Sequence, residues 1–236
     1  MDLDRYSEVT TKNKREIVLL KGFPCKWGQC TFCDYIKDNS IDEEDSARIN
    51  EEILNNVTGK YKTLEVINSG SAFELPKKTM EKIKEVVESK NIELLFFESH
   101  WMYRNRLSEI KDYFNIPIIF KCGVESFDNE FRNRVLKKGM LINSPLEVAK
   151  YFKSICLMVG IKGQTKEMIK QDIDYLLKYF ERGCINIYIE NSTEIKRDDD
   201  LIKWFRANYY YLEKNNNIEI LWNNTDFGVG GIKDEN

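Results

Sequence analysis

The sequence predicts an α/β fold, a partial or incompletely closed (β/α)6-type barrel with a mostly parallel sheet and helices outside. Short apolar runs rich in β-branched residues alternate along the chain with longer segments of helical period. Such alternation is typical of a parallel sheet, and about seven such units indicate a barrel. The chain has 236 residues, of which 42% are hydrophobic, which suffices for one sizeable core. We therefore expect 1–236 to form a single domain, with 195–236 as a C-terminal extension that closes the site.

Each predicted element follows from its local pattern. The strands are apolar runs, and the first, EIVLLKG, ends at Gly-Phe-Pro and so leads into a loop. Strands are expected at 16–22, 64–67, 92–97, 116–124, 155–159, 184–189 and 218–222. The helices repeat apolar residues at helical spacing, as Ile49, Ile53 and Val57 do. Helices are expected at 46–57, 77–89, 104–114, 129–136, 146–152, 166–180 and 201–213. Acidic runs near the first and last helices are predicted to be solvated helix starts.

Composition limits the class of partner. Lys and Arg total 36 against 39 Asp and Glu, which gives a net charge of -3 and a pI near 5.5, whereas a nucleic-acid binder usually has a basic excess. We expect a small-molecule substrate and no stable nucleic-acid binding. No apolar stretch is long enough to span a membrane, and the polar N-terminus does not read as a secretory signal. The protein is expected to be cytoplasmic, with no membrane partner.

The loop after the first predicted strand carries three cysteines, Cys25, Cys30 and Cys33, with C-x4-C-x2-C spacing. Three thiolates in nine residues can converge on a single metal centre. A structural zinc site needs four N or S ligands, and the one histidine, His100, is far away in sequence. A 4Fe-4S cluster held by three cysteines leaves one iron open to a small molecule. A zinc knuckle completed by another residue is the alternative. The other three cysteines lie in predicted strands and are expected to be buried and structural.

This loop, with Phe32 just before Cys33, resembles the cluster motif of the radical S-adenosylmethionine (SAM) superfamily, in which the usual spacing is C-x3-C-x2-C. Further segments are similar to those of the superfamily, in the same order: NSGS at 68–71, GVES at 123–126 and LMVGIKGQT at 157–165. The resemblance implies a radical SAM catalytic domain with a 4Fe-4S cluster and SAM as cofactors. It also implies that the cluster ligands are Cys25, Cys30 and Cys33.

The same resemblance assigns SAM-binding roles to these segments, for the methionyl amino group, the ribose and the adenine in turn. The expected cofactor-binding residues are Phe32, Asn68, Ser69, Gly70, Glu125, Ser126, Gly160, Ile161 and Gly163. A carboxylate such as that of Glu125 can accept hydrogen bonds from a ribose diol, and glycines allow close backbone approach to a flat base. The alternatives are that Glu125 is a solvated turn acid and that Phe32 belongs to the core.

Substrate recognition is expected at the carboxyl ends of the strands, because parallel strands end at one face. In FFESHWMY, Glu98 and His100 share one side if the extended geometry continues, and in CINIYIE alternation puts Asn186, Tyr188 and Glu190 on one face. The candidate catalytic residues are Glu98, His100 and Glu190. The candidate substrate-binding residues are Glu98, Asn186, Tyr188, Glu190, Asn223 and Asp226. The last two precede or enter the run DFGVGG, whose glycines suit a mobile lid. Each group has an alternative. His100 can be a hydrogen-bonded polar residue near the strand ends without a binding role, and CINIYIE can be an edge strand with a solvated face. The last segment can be a frayed terminus.

At subfamily level, the loop KGFPCKWGQCTFCDY and the chain length resemble the queuine lyases. These radical SAM enzymes cleave queuine to 7-aminomethyl-7-deazaguanine. The resemblance implies cleavage of a carbon–nitrogen bond in a small deazapurine, for tRNA queuosine salvage, with a flavodoxin- or ferredoxin-type reductant. Two alternatives stay open: another radical SAM enzyme acting on tRNA or a small molecule, and a non-enzymatic metal-binding or electron-transfer protein.

Overall fold

The computed structural model describes residues 3–231, which divide into two compact units. Within that range, the first unit comprises the residues up to Gly28, 35–120 and those from Thr225 onward, and the second comprises Gln29–Asp34 and Lys121–Asn224.

Two sequence predictions concern the chain as a whole. No helix in the described part of the chain is long and apolar enough to cross a membrane. The cytoplasmic location stays a prediction. The single-domain organisation, with 195–236 as a closing extension, also stays a prediction, and residues 232–236 of that extension lie outside the described residues.

The first unit contains a sheet with the strand order β1-β2-β3-β4. Its strands are β1 (Tyr6–Val9), β2 (Arg15–Leu20), β3 (Thr63–Asn68) and β4 (Leu94–Glu98). Its α-helices are α1 (Glu43–Leu54), α2 (Lys77–Ser89) and α3 (Leu107–Phe114), and it has 3-10 turns at Tyr35–Asp38, Ala72–Glu74 and Trp101–Arg106. Strand β1 is antiparallel to β2, whereas the β2–β3 and β3–β4 pairs are parallel. All six residues of β2 are buried, as expected for a central strand covered on both faces.

The second unit contains parallel strands in the order β5-β6-β7-β8. These strands are β5 (Ile118–Glu125), which enters this unit at Lys121, β6 (Ser154–Val159), β7 (Arg182–Ile187) and β8 (Ile218–Leu221). The helical elements are a π-helix (Phe131–Val135), α4 (Pro145–Ala149), α5 (Lys166–Tyr179), α6 (Asp199–Tyr209) and a 3-10 turn (Tyr210–Lys214). Because the strands are parallel, the loops that follow their carboxyl ends lie at one edge of the sheet.

The acidic runs begin helices, as predicted. The side chain of Asp42 accepts a hydrogen bond from the Asp45 N–H and caps α1, and that of Asp198 accepts from the Leu201 N–H and caps α6. Carboxylates in the first turn are stabilised by the unpaired N–H groups and the positive end of the helix dipole.

One strand of the structure was not predicted, and three predicted helices take a different form. Strand β1 is four half-buried residues long and its sequence, YSEV, contains no apolar run, so the pattern did not predict a strand there. The helix expected at 104–114 begins instead with a 3-10 turn at Trp101–Arg106. The helix expected at 129–136 is a π-helix, in which the Leu136 N–H donates to the Phe131 carbonyl oxygen, five residues back. The helix expected at 201–213 ends as an α-helix at Tyr209 and continues as a 3-10 turn.

Candidate functional site

The first cysteine of the predicted cluster motif lies in the first unit, on the loop that leaves β2. Cys25 has a half-buried thiol outside any disulfide. The N–H groups on either side of it donate to Glu74: that of Phe23 to the carbonyl oxygen at 2.8 Å, and that of Lys26 to Oε1 at 3.3 Å. Gly28 has a φ of 57°, a left-handed conformation that glycine adopts without steric cost. The loop is therefore held in a defined turn around Cys25.

The other two motif cysteines lie in the second unit. Cys30 and Cys33 are half-buried and outside any disulfide. The Cys33 N–H donates to the Cys30 carbonyl oxygen at 3.4 Å, and both residues pack against an apolar cluster that contains Phe32. Between them, the Thr31 N–H donates to the Leu136 carbonyl oxygen at 3.1 Å. This half of the loop is therefore anchored to the end of the π-helix.

The chemistry of these donors fits an iron-sulfur cluster, since thiolates are its usual ligands and the three side chains are neither oxidised nor deeply buried. No three His, Cys, Asp or Glu side chains within 3–231 already converge in a way that would hold a metal ion. Cluster ligation by the three cysteines therefore stays a prediction. The predicted burial of the other three cysteines is confirmed; they are Cys122, Cys156 and Cys184.

The predicted methionyl segment follows β3 in the first unit. Asn68 is 3% exposed, and its Nδ2 donates to the Ser71 carbonyl oxygen at 3.1 Å. Its Oδ1 is buried and has no hydrogen-bond partner among the described residues. A Cβ on Gly70 would lie only 2.9 Å from Glu74 Oε2, so a side chain here would displace the Glu74 carboxylate. A buried amide oxygen without a donor is costly, which fits a ligand that supplies one, such as an ammonium group.

The predicted ribose segment follows β5 in the second unit. Glu125 has a φ of 63°, and the register with β6 shifts between Gly123 and Glu125. Its carboxylate is buried, and Oε1 accepts a hydrogen bond from Lys138 Nζ at 2.7 Å. Burial lowers the pKa of Lys138, but attraction to Glu125 and Cys30 raises it more, so its pKa lies above its ordinary value. The alternative that Glu125 is a solvated turn acid is therefore wrong.

Two buried ionisable residues, Arg132 and Asp172, hold the backbone next to Glu125. Ser126 is fully buried, and its carbonyl oxygen accepts a hydrogen bond from an Arg132 guanidinium nitrogen at 2.7 Å. The next N–H, that of Phe127, donates to Asp172 Oδ1 at 2.6 Å. Burial raises the pKa of Asp172 to about 7, against the hydrogen bonds from Phe127 and Ser126, which lower it. The turn is therefore clamped from α5 and from the π-helix.

The predicted adenine segment follows β6. Gly160 has a φ of 94°, and a Cβ there would clash with the Ile202 side chain, so both conformation and space require glycine. Its N–H donates to Gln164 Oε1 at 3.0 Å. Gly163 also has a positive φ, of 93°. Ile161 is fully buried, in the same apolar cluster as Phe32, so both of these side chains contribute to the core of the second unit.

Glu98 and His100 lie at the end of β4 and just beyond it. The strand ends at Glu98, so alternation does not decide where His100 points. The His100 Nδ1 accepts a hydrogen bond from the Met102 N–H at 3.2 Å and caps the following 3-10 turn. The imidazole stacks on Trp27 of the cysteine loop, with ring centroids 5.8 Å apart and planes at 11°. His100 is therefore oriented by a cap and an aromatic neighbour.

The three polar residues expected on one strand face do not share it, because β7 ends at Ile187. Asn186 lies in the strand and is half-buried. Tyr188 is buried, and its hydroxyl donates to a carbonyl oxygen of the following loop at 3.2 Å. Glu190 is about half exposed, and its Oε1 accepts the Arg197 N–H at 3.0 Å. The expected shared face is therefore wrong for Tyr188 and Glu190, although their binding roles stay predictions.

The last two candidates are exposed. Asn223 lies in the second unit and Asp226 in the first. Beyond Asp226, Gly230 donates its N–H to the Asp4 carbonyl oxygen at 2.8 Å, and Gly231 accepts from the Asp4 N–H at 2.8 Å. The glycine-rich run is thus hydrogen-bonded to the N-terminal segment of the first unit, and its role as a lid stays a prediction.

The family is decided by a comparison with a solved structure. A queuine lyase from Clostridium spiroforme, bound to SAM and queuine, is 51% identical to this chain and has a TM-score of 0.95. The likeness covers 97% of this chain and 100% of the other. The chain belongs to the queuine lyase family. The predicted radical SAM fold class, α/β with a mostly parallel sheet of the partial (β/α)6-barrel type, is confirmed by this likeness.

Other proteins are similar to this chain at lower identity. The Streptococcus suis protein SuiB, solved bound to SAM, is 15% identical with a TM-score of 0.52 over 86% of this chain and 46% of its own, and so shares the fold alone. An uncharacterised protein of Methanocaldococcus jannaschii is 28% identical over 207 residues, which are 78% of this chain. The chain spans 56% of that relative's length. No family model matches the chain.

Three polar residues of this queuine lyase family member were not singled out from the sequence. They are Glu74, Lys138 and Asn191. Asn191 Nδ2 donates to the Phe32 carbonyl oxygen at 2.8 Å, inside the cysteine loop. For Glu74 a signal was present, since Ser71 and Glu74 form a capping box that an S-x-x-E pattern predicts. Lys138 and Asn191 had no local signal, because their partners are distant in sequence.

Proposed function

We propose that this chain is a radical SAM queuine lyase, which cleaves a carbon–nitrogen bond of queuine and releases 7-aminomethyl-7-deazaguanine for tRNA queuosine salvage. One observation carries the proposal: the chain matches, at 51% identity and over the whole of the other chain, a queuine lyase bound to SAM and queuine. The two alternatives, a radical SAM enzyme with another substrate and a non-enzymatic metal protein, are not favoured by this likeness.

The cluster is assigned to the three-cysteine loop. Cys25, Cys30 and Cys33 would ligate a 4Fe-4S cluster as thiolates, and the spacing and half-buried sulfurs support this assignment. When bound, the cluster and SAM supply a single electron and a 5'-deoxyadenosyl radical. The role of the protein is to hold both groups and keep water from them.

The methionyl end of SAM is assigned to the first unit. The Oδ1 of Asn68, which has no hydrogen-bond partner within 3–231, would accept a hydrogen bond from the SAM ammonium group, which removes the cost of burying that oxygen. Ser69 and Gly70 would present backbone atoms to the same end, and Gly70 places no side chain against the Glu74 carboxylate.

The nucleoside end of SAM is assigned to the second unit. Glu125 would accept a ribose hydroxyl: a carboxylate has two acceptor oxygens, and Lys138 takes Oε1. Ser126 would keep this turn in place through its buried backbone. The adenine would approach the backbone at Gly163, where an added Cβ would meet nothing within 4 Å. Its other proposed contacts are Gly160, Ile161 and Phe32.

The proposed substrate-binding residues are polar side chains at or after the carboxyl ends of the strands. A carboxylate matches the paired N–H donors on the guanine-like edge of a deazapurine, so Glu98 or Glu190 is proposed to bind the base. His100 is proposed as the third catalytic candidate, with Trp27 orienting its ring. The proposed additional contacts are Asn186, Tyr188, Asn223 and Asp226. Since the Tyr188 hydroxyl already bonds to its own loop, it would contribute mainly its ring.

The proposed electron donor is a flavodoxin- or ferredoxin-type protein. The net charge of -3 and the mixing of acidic with basic residues support a small-molecule substrate in place of intact tRNA.

The proposed function is tested by anaerobic reconstitution with iron and sulfide, followed by incubation with SAM, dithionite and queuine. Mass spectrometry then searches for 7-aminomethyl-7-deazaguanine and 5'-deoxyadenosine. We expect about four irons per chain and both products. The Cys30→Ala variant should lose the cluster and both products, whereas the matched control Cys156→Ala, which removes a buried thiol outside the motif, should keep them.

The outcomes separate the candidates. A cluster that turns over SAM but leaves queuine intact would contradict the lyase and favour another radical SAM reaction. A colourless zinc-loaded protein, or a cluster that leaves SAM intact under reduction, would favour the non-enzymatic reading.

A further inference from the structure

Glu74 is a buried carboxylate that lies beside the cysteine loop in the first unit. It is 6% exposed, and among the described residues no Lys, Arg or His pairs with it. Its carboxylate instead accepts hydrogen bonds from the Ser71 N–H, from the Lys26 N–H at 3.3 Å and from the Tyr103 hydroxyl at 2.7 Å. Neutral donors of this kind stabilise a buried negative charge without cancelling it.

The hydrogen bonds of Glu74 fix the backbone on both sides of Cys25. The side chain holds the N–H of Lys26, the residue after Cys25, and the Glu74 carbonyl oxygen accepts from the Phe23 N–H at 2.8 Å. Glu74 also lies close to Gly70: a Cβ built on Gly70 would be 2.9 Å from Glu74 Oε2 and 3.6 Å from Cys25 Cα. Glu74 therefore joins the cysteine loop to the proposed methionyl segment.

The charge of Glu74 lies in the electrostatic neighbourhood of Cys25. Tyr103 lies close to both groups: burial, the hydrogen bond to Glu74 and the negative charges of Glu74 and of a Cys25 thiolate raise the pKa of its hydroxyl, against the charge of Arg106, which lowers it. Tyr103 therefore stays protonated and donates to Glu74. A fixed negative charge near a cluster ligand disfavours the addition of an electron to the cluster, since cluster potentials depend on net charge and hydrogen bonding around the sulfurs.

We infer that Glu74 is a positioning residue for the iron-sulfur cluster, which fixes the backbone around Cys25 and lowers the reduction potential of the cluster through its buried charge. This inference rests on the proposed function, because it requires Cys25 to be a cluster ligand. It assigns Glu74 no contact with the substrate.

Two substitutions separate positioning from charge. Glu74→Gln can keep the bond from Ser71 through its amide oxygen and can turn its NH2 group to Tyr103, whose hydroxyl then accepts; only the long bond from Lys26 is lost. Glu74→Ala removes all three side-chain bonds. The matched control is Glu88→Gln, which makes the same charge change at an exposed position of α2.

The readouts on the reconstituted full chain are iron content, the rate of iron loss to a chelator, and the midpoint potential from a redox titration followed by electron paramagnetic resonance. We expect Glu74→Gln to retain the cluster with a midpoint potential above those of the wild type and Glu88→Gln. We expect Glu74→Ala to lose iron several-fold faster than the wild type. Should Glu74→Ala fail to fold, Tyr103→Phe replaces it, with faster iron loss than the wild type expected.

Each negative result overturns a stated part of the inference. A midpoint potential of Glu74→Gln equal to that of Glu88→Gln overturns the electrostatic role. Iron loss at the wild-type rate in Glu74→Ala, or in Tyr103→Phe where that variant replaces it, overturns the positioning role. A wild-type protein that holds no cluster at all contradicts the proposed function itself, so the two failures are distinguishable.

Discussion

The buried ion pair of Lys138 and Glu125 in the second unit can be tested by replacing Lys138 with methionine. Methionine keeps a long apolar stem but carries no charge, so Glu125 loses the ammonium group that lies 2.7 Å from its Oε1. The two side chains are only 12% and 6% exposed, so water cannot readily replace the lost partner. Removing one member of a buried pair costs about 3 to 5 kcal/mol. We expect the free energy of unfolding to fall by about that amount.

The backbone leaves this pair little room to rearrange. A Cβ on Gly123 would clash with Glu125 Oε1 and lie 2.9 Å from Lys138 Nζ, and Glu125 itself has a left-handed φ of 63°. Such strain costs a non-glycine residue on the order of 1 kcal/mol and persists only when its surroundings hold it. Adding Glu125→Gln to Lys138→Met removes the unpaired charge, so the double variant should recover part of the lost stability.

The assay is urea-induced unfolding of the purified protein, followed by tryptophan fluorescence. The matched control is Lys153→Met, which breaks an ion pair with Glu181 in the same unit. That pair has a nitrogen–oxygen distance of 2.6 Å, but its side chains are 63% and 66% exposed. An exposed pair of this kind contributes less than about 1 kcal/mol.

Two results would refute this reasoning. The first is a loss in Lys138→Met no larger than the loss in Lys153→Met. The second is a double variant less stable than Lys138→Met alone, since the destabilisation is attributed to a buried charge left without a partner.

Three further predictions concern single side chains in the second unit. Because burial raises the pKa of Asp172 from 3.8 to about 7, its native carboxyl keeps a proton that the unfolded chain loses, and stability should fall as pH rises between these values. Asp172→Asn should flatten the dependence of the free energy of unfolding on pH, measured by unfolding at several pH values. The same dependence in the variant as in the wild type would contradict this prediction. Gly160→Ala should lower stability by more than about 1 kcal/mol, since it adds a clash with Ile202 to a positive φ; an unchanged urea midpoint would be inconsistent with that clash. Asn191→Ala removes the hydrogen bond to the Phe32 carbonyl oxygen, so the free energy of unfolding should fall by about 1 kcal/mol and the reconstituted protein should lose iron faster. Iron loss at the wild-type rate would contradict a role of Asn191 in holding the cysteine loop.

Much of the fold could be predicted because its signals are local. Helix α2 has the same bounds in the structure as in the prediction, 77–89, since its apolar stripe begins after a proline and ends where the stripe ends. The elements that escaped prediction depend on distant partners. Strand β1 is too short for a pattern of its own and forms only by pairing with β2, and the π-helix widens where Arg132 is fully buried and bonds to several acceptors.

The candidate site divides in the same way. Spacing along the chain singled out Cys25, Cys30 and Cys33, and the resemblance of short segments to those of the radical SAM superfamily singled out Glu125 and Gly160, because each motif is contained in a few consecutive residues. Spacing could not tell that Tyr188 and Glu190 leave their strand, since the end of β7 is set by its pairing with its neighbours.

By itself the sequence determined the alternation of strands with helices, the trio of thiols and the order of the motifs. All of these are periodic or closely spaced patterns that a short stretch of chain contains in full. Only the tertiary structure decided that Glu74 holds Lys26, 48 residues away, and that Lys138 pairs with Glu125, 13 residues away. The reason is physical: the contribution of a charged side chain to stability depends on its burial and on the hydrogen-bond donors that surround it. Both arise only when separate segments of the chain pack together.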